Sequence, residues 1–229
     1  MCVARVFIVA VFLCLQWEES HAEKCLSGPY HLNASRPGGS GFATCFNYKD
    51  NACCSDELTK VVKNKPESLY NFTWHHCKMV SKQCMEYLVN EECFYQCDPT
   101  LIRYQRAGRP DAVQRVPICS GYCDQWFDAC KNDMTCVENW ETGFAKIGSH
   151  YACPNTSKCL TFEKVYKNGA GLCNKMWGVS FYYQNANQTC YQMDGEKQKV
   201  GSNGCCIRIL LACMATSILL SISLGFFGN

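Results

Sequence analysis

The sequence predicts a single disulfide-stapled domain, mainly helical with a few short strands, lying between two processing signals. Three observations predict it. Cysteine accounts for 21 of 229 residues, about 9%, at the threshold where composition alone marks a disulfide scaffold. Both ends are apolar in the manner of cleaved targeting signals. Between them, apolar residues and cysteines recur at helical spacing. The charge balance, 22 Lys plus Arg against 20 Asp plus Glu for a net +2, argues against a nucleic-acid partner. A hydrophobic content of 48% argues against disorder.

Residues 1–22 read as a secretory signal peptide. Arg5 supplies the positive start, Val6 to Leu15 the apolar run, and Ser20-His21-Ala22 the small-x-small cleavage site. A short buried helix is the competing reading; the run is too short to span a bilayer. Residues 201–229 read as a glycosylphosphatidylinositol-anchor signal. Gly201, Ser202, Asn203 and Gly204 offer small attachment residues, with Ser202 the expected one, and Ile209 to Phe227 is almost wholly apolar. A spanning helix is the alternative, but it would keep Lys or Arg on its cytoplasmic side, and here Arg208 precedes the run. Residues 23–200 remain as one domain, with no internal repeat or long linker.

Removing both ends takes away Cys2, Cys14, Cys205, Cys206 and Cys213 and leaves an even set of sixteen cysteines between Cys25 and Cys190. A secreted chain meets an oxidising compartment, so eight disulfides are possible, with their pairing undetermined by sequence alone. No Cys-x-x-Cys occurs, and the neighbouring His75, His76 and Cys77 do not converge on a metal from one helix or strand, so no metal site is expected. Four N-x-S/T sequons, at Asn33, Asn71, Asn155 and Asn187, mark solvent-facing loops and glycosylation sites.

Along the domain, Leu32 to Thr44 reads as loop. Ser55 to Lys63 reads as a short helix capped by Ser55 or Asp56 and ended by Lys65-Pro66. His75 to Glu92 reads as a longer one, with Cys77, Val80, Cys84, Leu88 and Glu91 at helical spacing. Val116 to Lys131 reads as another. There Cys119, Cys123, Trp126 and Cys130 form one narrow stripe, which makes Trp126 a core residue, and Pro117 suits the first turn. Cys159 to Tyr166 reads as helical, Cys173 to Trp177 as a helical turn, and Val179 to Tyr183 as strand.

The runs CFNYKDNACC, FTWHHC, ECFYQCDP, VPICSGYCDQWFDACK, MTCVENW and CNKMWGVSF resemble the folate receptor and riboflavin-binding protein family. The resemblance covers all sixteen cysteines from Cys25 to Cys190. It implies a compact α+β fold with eight disulfides: Cys25 with Cys53, Cys45 with Cys93, Cys54 with Cys97, Cys77 with Cys159, Cys84 with Cys130, Cys119 with Cys190, Cys123 with Cys173, and Cys136 with Cys153. It also implies binding of a flat heteroaromatic vitamin. Three departures separate the chain from the folate receptors. Glu91 stands where they carry aspartate. The segment AGRPDAVQR replaces their aromatic and charged loop. After Asn139-Trp140 come Glu141, Phe144 and Lys146 instead of histidine and further tryptophans.

The riboflavin-binding branch is closer, in ECFYQC and in Met176-Trp177-Gly178. By that resemblance a flavin ring is sandwiched between Tyr95 and Trp177. Glu91, Trp140, Phe144 and Ser180 are further ligand-site candidates, and Tyr104 is a weaker one at the rim. Two flat walls and a few polar groups are what a planar ring with one polar edge requires.

The expected function is therefore a lipid-anchored or secreted extracellular protein that binds riboflavin for carriage or uptake, as a ligand and not as a catalytic cofactor. The alternatives are a folate receptor, or a cell-surface adhesion receptor with a protein partner and no vitamin, as family members on egg surfaces are. No serine–histidine, paired-carboxylate or phosphate-loop arrangement is present, so an enzyme is not expected.

Overall fold

The computed structural model describes residues 22–195 apart from residue 186. All but Ala22 of the expected signal peptide, and the whole expected anchor signal with Ser202, lie outside the described residues. The chain runs β1 (His31–Arg36), β2 (Ala52–Cys54), α1 (Asp56–Asn64), α2 (Lys82–Cys97), β3 (Gln105–Arg106), β4 (Arg109–Val113), β5 (Val116–Cys119), α3 (Ser120–Cys130), β6 (Met134–Thr135), β7 (Ala145–Ile147), β8 (His150–Ala152), β9 (Leu160–Thr161), α4 (Phe162–Tyr166), α5 (Gly169–Lys175) and β10 (Phe181–Gln184). Tight 3-10 turns cover Phe46–Asn51, Pro66–Asn71 and Pro99–Tyr104. This is the α+β, mainly helical class with short strands.

The strands pair only in twos among the described residues: β1 with β2, β3 with β4, β6 with β9 and β7 with β8 antiparallel, and β5 with β10 parallel. Two-stranded pairs are marginal alone. The helices and bridges therefore carry the architecture. Eight disulfides join the same pairs that the resemblance implies.

Local chemistry explains where the elements differ from expectation. Ser55 caps α1, accepting from the Leu58 amide at 3.2 Å. The helix expected from His75 begins only at Lys82. Ser81 is its cap, accepting from Cys84 N at 3.3 Å. The Ser81 amide and hydroxyl both donate to the Asp133 carboxylate at 2.7 Å, which fixes the entry point. The helix expected from Val116 starts at Ser120 instead. Pro117 pushes Val116 to extended geometry, and Val116 to Cys119 pair in register with Phe181 to Gln184. Pro117 is thus a strand residue. The expected loop from Leu32 contains β1, which returns against β2. The reading of Cys159 to Tyr166 splits into β9 and α4.

Two cores result. The larger gathers Phe94, Trp126, Ile118, Phe162, Leu172 and Met176, with Trp126 fully buried and Trp74 nearly so. The smaller lies under β1, β2 and α1, around Phe42, Leu58 and Val62. Half-way along α2 burial becomes all-round: Leu88, Glu91, Glu92, Cys93, Phe94, Gln96 and Cys97 are all inside. Two carboxyl groups are thereby drawn into the interior.

Candidate functional site

Helix α2 sets the site. Glu91 and Tyr95 are four residues apart and share one face of the helix. With Arg109, Ala112 and Val113 of β4, Glu141, Trp177 and Ser180 in the turn before β10, and Phe181 at its start, they line one cavity of about 120 Å³. Four of the expected ligand residues, Glu91, Tyr95, Trp177 and Ser180, are brought together here. Trp140 and Phe144 are not. They line a separate cavity of about 210 Å³ with Tyr70, Phe72, Thr142 and Tyr151. Glu141 borders both cavities. Tyr104 packs its ring edge against Tyr191 at 5.8 Å, outside either cavity's lining.

The Tyr95 ring is held from behind. The His31 ring meets it edge-on at 5.3 Å, and His31 Nε2 donates to the Tyr95 backbone carbonyl at 3.1 Å. The Tyr95 hydroxyl donates to the Asp111 backbone carbonyl. His31 Nδ1 is buried with no partner, and burial lowers the imidazole pKa, against smaller raising effects of the Tyr95 hydrogen bond and of Asp111.

Trp177 meets Trp140 edge to face at 5.8 Å. Trp140 is itself anchored, donating through Nε1 to Thr135 Oγ1 at 3.0 Å and through its amide to the Met176 carbonyl at 2.6 Å. Gly178 makes the approach possible. It has φ +58°, and a Cβ there would lie 2.8 Å from Glu141 Oε2. The Trp177 indole N–H is buried and unpartnered, an unmet donor in a wall of the cavity.

Glu91 and Glu92 are each 4% exposed. Burial raises both carboxyl pKa values, and the neighbouring Glu92 adds to the rise at Glu91. The two are not equivalent. Tyr70 Oη and Gln96 Nε2 both donate to Glu92 Oε1 at 2.9 Å, which favours the charged form of Glu92. These donors do not reach Glu91, so at Glu91 burial and the neighbouring Glu92 act without that opposing effect and favour its neutral form. A neutral carboxyl in the cavity wall both donates and accepts.

At the mouth, β3 and β4 form a hairpin whose tip carries two arginines, Arg106 opposite Arg109. Arg106 Nη1 pairs with Glu141 Oε1 at 2.9 Å, and Arg109 with Asp111 at 3.1 Å. Sequence reasoning missed Arg109, Ala112, Val113, Glu141 and Phe181 as cavity residues. Arg109 lies in the very segment noted for its departure from the folate receptors, which was the available signal. His76 is engaged in packing on Phe72 and Trp140 and in a 3.1 Å bond from Nδ1 to the Thr73 carbonyl. Cys77, its neighbour, is bridged to Cys159. All four sequon asparagines are exposed.

A family model described as the folate receptor family matches residues 24–207. The riboflavin-binding protein of Gallus gallus is 30% identical over 191 residues, covering 82% of this chain and 79% of that protein. The riboflavin-binding protein of Dromaius novaehollandiae is 30% identical over the same length, with the same coverage. Folate receptor gamma of Homo sapiens is 29% identical over 176 residues, 74% of this chain and 72% of that protein. The names of these relatives describe vitamin binding or reception, not catalysis.

Proposed function

The chain belongs to the folate receptor family, and from that premise we propose that it is an extracellular vitamin-binding protein whose ligand is riboflavin. The carrying observation is that Tyr95, Trp177 and the buried carboxyl of Glu91 border one cavity. The ring of the vitamin lies between the phenol and the indole, and its polar edge meets Glu91.

The upward push that burial gives the Glu91 carboxyl, toward its neutral form, favours a flavin over a pterin. The imide edge of a flavin alternates carbonyl, N–H and carbonyl. A neutral carboxyl matches it at two points, accepting from the N–H and donating to a carbonyl. The amidine edge of a pterin offers two donors side by side, which suit an ionised carboxylate. Ser180 and the free indole N–H supply further polar contacts. The chain carries riboflavin as cargo, is not an enzyme, and is held at the outer cell surface by the lipid anchor read at residues 201–229 after residues 1–22 are removed.

Fluorescence titration of the secreted domain tests this. Free riboflavin is bright, and sandwiching between two aromatic rings quenches it. Quenching that saturates at micromolar concentration or below, with no matching response to folate, is expected. A response to folate alone would make the protein a folate receptor. Silence toward both vitamins would leave the adhesion role.

A further inference from the structure

The two cavities adjoin, and the second has no role in the function proposed above. Glu141 lines both, and Trp177 of the first meets Trp140 of the second edge to face at 5.8 Å. The second cavity is the larger, and five of its seven lining residues are aromatic. Phe72 and Phe144 lie 4.9 Å apart at 47°, and Trp140 stands nearly perpendicular to Phe72 at 5.6 Å. Tyr151, on β8, is 41% exposed at the rim. Neither cavity alone reaches the ~300 Å³ at which ordinary ligand pockets begin, while the two together do.

Charge at the junction is also organised. Arg106 and Arg109 face each other across the hairpin tip, one paired to Glu141 and the other lining the first cavity. Both ion pairs are partly exposed, the Arg109–Asp111 pair about half and the Arg106–Glu141 pair about a quarter to a third, and solvent-exposed pairs contribute little. A phosphate accepts from guanidinium groups in the same forked geometry as a carboxylate.

We infer that the two cavities form one bipartite cleft that takes a flavin dinucleotide: the flavin ring in the first cavity, a second heteroaromatic ring among Phe72, Phe144 and Tyr151, and the diphosphate linker at Arg106 and Arg109. This rests on the flavin reading of the first cavity. Linker binding releases Glu141 and Asp111 from their arginines to solvent.

Calorimetric titration of the glycosylated secreted protein with riboflavin, flavin mononucleotide and flavin adenine dinucleotide tests it. One added aromatic stack and the arginine contacts are expected to make the dinucleotide bind about tenfold tighter than riboflavin. Tyr151→Ala removes most of that advantage and leaves riboflavin affinity unchanged. Arg106→Gln weakens both phosphorylated forms but not riboflavin. Thr142→Phe, which fills the second cavity instead of opening it, has the same effect as Tyr151→Ala and guards against a folding defect in either. Adenosine diphosphate alone does not displace riboflavin. The inference is overturned if the dinucleotide binds no tighter than riboflavin, if Tyr151→Ala weakens both equally, or if adenosine diphosphate competes with riboflavin. In each of those cases riboflavin binding itself still stands. Loss of response to all three flavins would instead sink the first-cavity reading, and this one with it.

Discussion

Trp177→Ala is the most direct perturbation of the proposed flavin slot. Trp177 is half-buried, lines the first cavity and touches Trp140 with one edge. A stacked ligand covers roughly 80 Å² of one indole face, a third to a half of what such a side chain buries in all. At about 25 cal/mol per Å² that area contributes ~2 kcal/mol, and stacking adds about 1 kcal/mol. A loss of ~3 kcal/mol corresponds to roughly 150-fold in Kd. Trp177→Phe keeps a ring face and loses no hydrogen bond of the free protein, because the indole N–H has no partner. It should cost about fivefold, on the scale of a reduced stack. Riboflavin quenching titrations on secreted protein, with secretion yield as the folding control, measure both. If Trp177→Ala binds within about twofold of the parent while secretion holds, the indole is not a ligand wall and the sandwich is wrong.

Other outcomes follow from the same geometry. Glu91→Gln keeps a donor and an acceptor and should retain riboflavin affinity, whereas Glu91→Ala should lose it in the same titration. Folded-state carboxyl pKa values raised above the ordinary 4.5, to about 7 at Glu92, give the buried pair a stability contribution that is full below pH 4.5 and falls as pH rises toward 7. Glu91→Gln should therefore raise the melting temperature at pH 8 more than at pH 5. His31 has the opposite sign. Its lowered pKa makes its contribution full above pH 6.5 and lost as pH falls through the folded value, so riboflavin should dissociate faster at pH 5 than at pH 7.5, and His31→Gln should blunt that difference. Removing Cys123–Cys173 or Cys77–Cys159 opens loops spanning 50 and 82 residues and costs about 4 kcal/mol each in the chain-entropy view, but only loss of the former should weaken riboflavin binding. Phosphatidylinositol-specific phospholipase should release the native protein from cells, and Ser202→Leu should reduce its surface display by flow cytometry.

Much of this was legible because cysteine spacing and aromatic placement are local in sequence. Tyr95 lies between two bridged cysteines, and Trp177 beside a glycine whose φ of +58° strains any other residue. What was hidden came from distant partners. The start of α2 depends on Asp133, fifty-two residues from Ser81. The strand at Val116 exists only because β10 pairs with it, so a stripe at helical period was extended one turn too far. Trp140 and Phe144 carry the right chemistry for a ring site, yet both line a second cavity, where Phe144 packs with Phe72 and His76. Arg109 reaches the first from β4, whose hairpin partner β3 is only two residues long and too short to show a period. Helical amphipathicity failed along α2 because both of its faces are buried past Leu88.

The bridges bear on affinity as well as survival outside the cell. Tyr95 and Trp177 stand on separate stretches of chain, eighty-two residues apart in sequence. A slot made of two such walls holds its width only if those stretches cannot slide. The sheets cannot fix them, since each is two strands of at most six residues. A covalent path does: Cys84–Cys130 ties α2 to α3, and Cys123–Cys173 ties α3 to α5, just before Trp177. Helix α2 is further bound at Cys93 and Cys97, on either side of Tyr95. Ordering a wall side chain at the moment of binding costs about 0.5–1.5 kcal/mol, and a slot whose walls are cross-linked in advance avoids much of that cost. Protease resistance alone gives no reason for bridges to cluster at the two walls. A spacing requirement on the slot does.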